Sequence, residues 1–261
     1  MFSPIVFLHI PKTAGSSFYF VLKLIEKLKN NNVNVQRTGK NGILSNFTFK
    51  DSIIKKNSQI YSGHHVFSDE CKKLDTFTLV RDVHKTFFSN VYYQYFDTFL
   101  KQNLNRRNIH AIKKNIDLDY ELKEADESII IKLINNNLIT SNPFTKTFAG
   151  IPYEMFFYVE NDYKISQSDY ETAINNLKYF KLIGNTNSFE IFLKKFISLY
   201  GFIIHENLYG SDLHSYTHQR VFNYDRNFID LMIKKLYQEV VDYNFYDILL
   251  MREIEKISKN V

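Results

Sequence analysis

Residues 5–25, IVFLHIPKTAGSSFYFVLKLI, decide the fold. The apolar run at residues 5–10 lies between two prolines and predicts a short buried strand. Apolar residues at helical spacing predict a helix over residues 16–30. A loop of small and polar residues joins the two elements. A strand, a tight loop and a helix in this order are typical of a phosphate-binding loop. Backbone N–H groups converge in such a loop, and the helix N-terminus carries a partial positive charge.

This loop supplies the candidate anion-binding groups. Its backbone N–H groups would form a cradle, its serines would cap the helix and donate hydroxyls, and its lysine would add a mobile charge. A few charge-assisted hydrogen bonds, each contributing about 1.5–3 kcal/mol, are enough for micromolar nucleotide binding. The predicted set is Lys12, Thr13, Ala14, Gly15, Ser16 and Ser17. An ordinary strand–helix turn is the alternative interpretation.

The rest of the chain predicts an α/β protein with a helix-rich second half. Strands are predicted at residues 59–61, 76–80 and 180–183. Helices are predicted at residues 85–100 and, further on, near residues 125–138, 144–148, 168–177, 188–200 and 225–243. Residues 31–46 and 102–123 are predicted loops. This alternation indicates a P-loop-like three-layer fold, with a central, mostly parallel sheet flanked by helices. No linker divides the chain, so residues 1–261 are predicted to form one domain.

A second polar block, LVRDVHKTFFSNVYYQYF, covers residues 79–96. Arg81 follows the third predicted strand, at the sheet edge where ligands gather in open parallel sheets. Ser89 lies eight residues later, near the first turns of the predicted helix. An arginine and a hydroxyl at this edge suit a second phosphate. The alternatives are a surface salt bridge for Arg81 and a capping role for Ser89.

Composition narrows the class of protein. The 261 residues carry a net charge of +5 without a concentrated basic stripe, so no nucleic-acid partner is predicted. The single cysteine, Cys71, excludes an intrachain disulfide and favours a reducing compartment. Neither a signal peptide nor an apolar stretch of about 18 residues is evident, so we expect no membrane span and a cytoplasmic location. His64 and His65 have no partner at metal-ligand spacing, so no metal site is predicted.

The two blocks together resemble the PAPS-dependent sulfotransferases (PAPS is 3′-phosphoadenosine 5′-phosphosulfate). The resemblance is to the carbohydrate branch, which includes heparan sulfate 2-O-sulfotransferase and its bacterial relatives. HIPKTAGSS at residues 9–17 is similar to the family's 5′-phosphosulfate loop, and VRDVHKTFFSNVYY at residues 80–93 to its 3′-phosphate block. IYSGHHVF at residues 60–67 resembles the Gly-His segment, whose histidine acts as a base. Val83 departs from the usual proline of the 3′-phosphate block.

The resemblance implies an enzyme that moves the sulfuryl group from PAPS to a hydroxyl of a carbohydrate acceptor, a glycan or glycolipid, and releases PAP (adenosine 3′,5′-bisphosphate). In this reading, Lys12 neutralises the leaving phosphate and His64 is the general base. His65 remains the alternative base, because neighbouring residues of an extended segment face opposite ways. Arg81 and Ser89 would bind the 3′-phosphate. The adenine contacts implied by HSYTHQR at residues 214–220 are Ser215, Tyr216 and Thr217.

Two other functions stay open. One is a nucleotide-dependent kinase on a P-loop-like scaffold, which the loop disfavours. The loop departs from the pattern G-x-x-x-x-G-K-[ST], because its lysine precedes the small residues and the first glycine is missing. The other is a catalytically inactive homologue that binds PAP. The lack of a disulfide pair or membrane anchor favours a bacterial-type enzyme. The acceptor, the position sulfated and the oligomeric state are not predicted.

Overall fold

The computed structural model describes residues 4–28, 33–37, 59–91, 127–152, 155, 163–203 and 226–259. These residues form a five-stranded sheet in the order β2-β3-β1-β4-β5. Every neighbouring pair of strands is parallel. The strands are β1 Ile5–Leu8, β2 Val35–Arg37, β3 Ile60–Gly63, β4 Asp75–Val80 and β5 Phe180–Asn185. The predicted α/β fold with a central parallel sheet is confirmed.

Helices cover both faces of this sheet. The helices are α1 Gly15–Lys27, α2 Val83–Val91, α3 Glu127–Asn135, α4 Pro143–Ala149, α5 Gln167–Leu177, α6 Phe189–Tyr200, α7 Arg226–Lys235, α8 Tyr237–Tyr243 and α9 Phe245–Lys259. On one face, Phe7 and Phe77 pack against α1 and α6. On the other face, Val6 and Leu8 pack against Phe67, and α4, α5 and α9 form an apolar cluster with Val80. Strands covered in this way are apolar on both sides, which explains the unbroken apolar run of β1.

The prediction of a loop over residues 31–46 is wrong for Val35–Arg37, which form β2. β2 pairs with β3, and the Val35 backbone N–H donates to Glu26 Oε1 at 2.7 Å. Val33 and Val35 are buried in the cluster that contains α1. Their alternation with polar residues was the available signal, but it covers too few residues to stand out from an asparagine-rich stretch.

The described residues 226–243 are helical, in agreement with the helix predicted over residues 225–243, but a break divides them into two helices, α7 and α8. The break lies at Leu236, whose φ of −116° and ψ of 29° depart from helical values. Its side chain is buried in the apolar cluster that α2, α3, α7 and α8 share. A buried leucine continues the helical spacing across the break, so the apolar pattern alone does not reveal it.

The other elements differ from prediction mainly at their ends. β1 ends at Leu8 rather than at residue 10, and α2 begins earlier, at Val83, because Asp82 accepts the backbone N–H of Lys85 at 2.9 Å. β5 runs through Gly184, where any side chain would overlap the Phe192 ring of α6. The predicted helices near 144–148, 168–177 and 188–200 are confirmed within about two residues. Residues 92–100 of the predicted second helix and the predicted loop at residues 102–123 lie outside the described residues.

Within the part of the chain that the structure describes, no helix is long and apolar enough to span a membrane.

Candidate active site

The order in which the chain adds strands to the sheet changes direction at β1. From β1 it passes through α1 to β2 and returns to β3, and the connection after β3 then crosses to β4 on the other side of β1. The carboxyl ends of β1 and β4 therefore form the switch point of the sheet, where open α/β sheets bind their ligands. Lys12 and Arg81 follow these two strands, and His64 follows β3 next to them.

The β1–α1 loop, residues 9–14, contains two left-handed residues. Lys12 has a φ of 67° and Ala14 a φ of 59°, with Thr13 between them. For residues other than glycine this conformation costs about 1–2 kcal/mol each, and such strain is concentrated at functional sites. Left-handed residues that alternate with other conformations turn successive N–H groups toward one side, which suits an anion.

Thr13 contributes its backbone rather than its hydroxyl to this loop. Its side chain is fully buried, and Oγ1 donates to the carbonyl oxygen of Ile10 at 2.8 Å. The hydroxyl therefore closes the turn from inside, whereas Lys12 and Ala14 on either side are half-buried. A ligand at this loop would meet the peptide groups and the Lys12 ammonium.

α1 begins without a side-chain cap. Ala14 is its N-cap residue, and its first turn contains no acidic residue. The positive end of the helix is therefore not neutralised by its own side chains. Gly15 and Ser17 lie in this first turn, with Ser17 half-buried. Ser16 lies there too.

Arg81 joins the end of β4 to this loop. Its Nη1 donates to the carbonyl oxygen of Lys12 at 3.2 Å, across 69 residues of sequence. The structure thus brings together Lys12 and Arg81, two cations that were predicted from separate blocks. The carbonyl that Arg81 holds belongs to a left-handed residue, so the guanidinium also supports the strained loop.

Ser89 lies on α2, about two turns beyond Arg81. Its side chain is buried, in a helix whose described side chains are all buried except that of Lys85. Ser215, Tyr216 and Thr217 lie outside the described residues.

His9 and His64 stack at the ends of β1 and β3. The strands pair with Leu8 opposite Gly63, so the two histidines follow at equivalent positions. Their ring centroids are 4.1 Å apart with an interplanar angle of 25°. His64 Nδ1 lies 2.8 Å from the carbonyl oxygen of His9. Since a carbonyl oxygen only accepts, Nδ1 carries the proton of the neutral ring, and the lone pair lies on Nε2.

His65 differs from His64 in burial. His64 is half-buried, whereas His65 is only 6% exposed. Burial, with a smaller contribution from His64, lowers the pKa of His65 to about 4, so this ring stays neutral at physiological pH. A bound acceptor has better access to His64, because that side chain is the more exposed of the two. The geometry therefore favours His64 over His65 as a base.

From the sequence, His9 was predicted only to pack or to form hydrogen bonds, and in the structure it lies beside the site directly after β1. Beyond its stacking on His64, its imidazole occupies the space where a side chain at position 15 would lie. The signal was the parallel register of β1 and β3, which can be recognised only once both strands and their order in the sheet are known.

A buried polar cluster supports the site from the helical side. The Asp247 carboxylate accepts hydrogen bonds from the backbone N–H groups of Phe144 and Thr145 and from the Thr145 hydroxyl, at 2.7–3.0 Å. Lys146 is fully buried, and its Nζ donates to Ser141 Oγ at 3.3 Å. Burial raises the pKa of Asp247 to about 6, although these hydrogen bonds and the Lys146 charge favour its ionised form.

α4, which Asp247 caps, also holds the chain that follows the histidines. The Phe67 backbone N–H donates to the carbonyl oxygen of Thr147 at 2.8 Å. Gly150, at the end of α4, packs against the carbonyl oxygen of Phe67 so closely that a Cβ atom would lie 2.8 Å from it. The cluster thus positions the segment that carries His64, although its members come from distant parts of the sequence.

No protein-family model matches the chain, and no curated protein matches it either. Any assignment of function therefore depends on the residues and their geometry.

Proposed function

We propose that this protein is a PAPS-dependent sulfotransferase that transfers the sulfuryl group to a hydroxyl of a carbohydrate, either a glycan or a glycolipid. The observation that carries the proposal is the hydrogen bond from Arg81 Nη1 to the carbonyl oxygen of Lys12. It joins the two blocks that the resemblance assigns to the two ends of PAPS, at a sheet edge where His64 is a neighbour.

Two sites at one edge suit a nucleotide with two separate anionic groups. The β1–α1 loop and the N-terminus of α1 would hold the 5′-phosphosulfate, with Lys12 beside it. Arg81 and Ser89 would hold the 3′-phosphate. Ser215, Tyr216 and Thr217 remain the proposed adenine contacts.

In the proposed reaction the acceptor oxygen attacks sulfur in line with the bond to the 5′-phosphate. The new S–O bond forms as the old one breaks, and the electron pair of that bond stays on the departing phosphate of PAP. Lys12 and the loop N–H groups stabilise this charge, and the loss of such a donor typically lowers the rate about 10²–10³-fold. His64 Nε2 takes the acceptor proton, which contributes about 10²–10⁴-fold.

The proposal includes a bacterial-type enzyme in the cytoplasm with no nucleic-acid partner. Support comes from the composition: Cys71 is the single cysteine of the chain, and its thiol is buried. The mild positive charge suits an anionic nucleotide rather than a nucleic acid.

Calorimetric titration with PAP tests the proposal, with ADP and ATP·Mg²⁺ as competing ligands. We expect micromolar PAP binding that ADP does not match, and a loss of about 10–100-fold in Arg81→Ala, the range for a hydrogen bond to a charged group. Lys85→Ala is the matched control, because it removes an exposed cation from α2 four residues away. PAP binding no tighter than that of ADP contradicts the proposal.

Two further results distinguish the alternatives. Tighter binding and turnover of ATP·Mg²⁺ would identify a kinase. Tight PAP binding without release of labelled sulfate from PAPS, to any acceptor or to water, would identify an inactive homologue.

A further inference from the structure

Asn90, on α2, carries an unpaired buried oxygen. Its side chain is 2% exposed, and within the described structure its Oδ1 has no hydrogen-bond partner. Most buried polar atoms in proteins are paired, and leaving an acceptor unpaired costs about 1–3 kcal/mol. The oxygen belongs to the residue that follows Ser89, a candidate binding residue, and a hydrogen-bond donor on a bound molecule would pair it.

The position of Asn90 on α2 places it on the face that adjoins the sheet edge. Asn90 lies four residues after Thr86 and seven after Val83, so all three share one side of the helix. Val83 belongs to the apolar cluster of Ile10 and Val80, which directly precede the candidate site. Phe87, Phe88 and Val91 of α2 pack against α3, α7 and α8, and Phe87 adjoins Asn90 on the helix surface.

Thr86 cannot satisfy Asn90, because its own hydroxyl is engaged. Thr86 Oγ1 donates to the carbonyl oxygen of Asp82 at 2.9 Å, within the first turn of α2. The face therefore presents one acceptor whose partner has to be an O–H or N–H group from outside the helix.

This step rests on the proposed function, in which the bound nucleotide is PAP. The chemistry of PAP then limits which of its groups can be the donor. At neutral pH the phosphate oxygens of PAP accept hydrogen bonds and supply no reliable donor. The adenine amino group lies at the far end of the base. The 2′-hydroxyl is on the ribose carbon next to the 3′-phosphate, and Ser89, the proposed ligand of that phosphate, is adjacent to Asn90. We infer that Asn90 Oδ1 accepts a hydrogen bond from the 2′-hydroxyl of the bound nucleotide and thereby selects ribose over deoxyribose.

The test compares PAP with 2′-deoxyadenosine 3′,5′-bisphosphate by calorimetric titration of the full chain. The wild type should bind PAP about tenfold more tightly, the effect of one hydrogen bond to a buried acceptor. Asn90→Leu, of similar shape, should bind both nucleotides equally. Thr86→Val is the matched control, because it removes a hydroxyl from the same helix face and should keep the wild-type preference.

The free energy of unfolding, measured without ligand, distinguishes a role of Asn90 in nucleotide recognition from a structural role. Replacing an unpaired buried amide with leucine should leave the free energy of unfolding unchanged or higher. A destabilised Asn90→Leu that keeps the tenfold preference overturns the inference and makes Asn90 structural.

The affinities of the wild type for the two nucleotides also test the inference. Tight binding of PAP with equal binding of the deoxy analogue overturns the inference while the proposed function stands. If PAP does not bind, the proposed function fails, and this inference fails with it.

Discussion

At position 15 only a hydrogen atom fits beside the imidazole of His9. A Cβ atom there would overlap the His9 ring, which is itself stacked on His64. Gly15 also opens α1 directly after the left-handed Ala14. One small residue thus allows a histidine pair and a strained anion loop to lie side by side.

Gly15→Ala tests this packing. We expect the free energy of unfolding to fall by about 1–3 kcal/mol, the usual range for overpacking a tight site. The shift of His9 and of the helix start should also weaken PAP binding. Urea unfolding and calorimetric titration measure the two effects.

Gly201→Ala is the matched control. Gly201 lies at the end of α6 with a φ of +63°, and among the described residues outside its own helix and chain neighbours no atom would lie within 4 Å of a Cβ atom at this position. The substitution should cost about 1 kcal/mol from left-handed backbone alone and leave PAP binding unchanged. Equal PAP affinity in both variants would show that His9 and Gly15 do not shape the nucleotide site.

At the scale of elements, α4 shows how a short helix is held in place from outside. Its N-cap residue, Asn142, has a left-handed φ of 46° and makes no capping bond of its own. Asp247 of α9 accepts the first N–H groups instead, and its own backbone N–H donates to Asn142 Oδ1 at 3.0 Å. The cap is tertiary, so the stability of α4 depends on the packing of α9.

Asp247→Asn should therefore destabilise the protein. The amide can keep the bonds from Thr145, but its NH₂ group would then face the Phe144 N–H. We expect the free energy of unfolding at pH 7 to fall by about 1–3 kcal/mol, as measured by urea titration. Asp242→Asn, at an exposed position of α8, is the matched control and should change it by less than about 0.5 kcal/mol.

The size of this loss should depend on pH. Burial raises the pKa of Asp247 from an ordinary 3.8 to about 6, so the folded state holds the proton more tightly than the unfolded state. The resulting stabilisation is complete below about pH 4 and is lost as the pH rises through about 6. Asp247→Asn lacks this contribution, so its deficit relative to the wild type should be larger at pH 5 than at pH 8. A deficit that is constant between pH 5 and pH 8 contradicts the raised pKa of Asp247.

The elements also show what could be predicted from sequence. β1, α1 and β4 were predicted because their apolar patterns are long and bounded by clear breaks. β2 was missed because three residues of an edge strand carry too little pattern. The location of Arg81 and Lys12 at one edge followed from strand ends in a parallel sheet, although their contact did not. The cap that Asp247 provides joins residues more than a hundred positions apart. Local patterns cannot contain that information.

At the scale of the molecule, the candidate site is attached to the most enclosed strands. β1 pairs with β3 on one side and β4 on the other, and its residues Ile5–Leu8 are fully buried. β2 has β3 as its one described neighbour. Loops that bind ligands need a rigid base, and central strands open only when much of the fold opens.

Hydrogen exchange followed by mass spectrometry tests whether the central strands are more stable than the edge strand β2. Peptides that cover β1 and β4 should exchange most slowly, and those that cover β2 at least about tenfold faster, because edge strands open without global unfolding. If β1 exchanges as fast as β2, the sheet is not the rigid base of the site.

The same experiment with PAP locates the nucleotide. PAP should slow exchange in residues 11–18 and in residues 81–90, where its phosphates would engage N–H groups and order α2. α5, outside the site, is the internal control and should not change. If protection by PAP appears in α5 but not in residues 11–18, the nucleotide binds away from the β1–α1 loop.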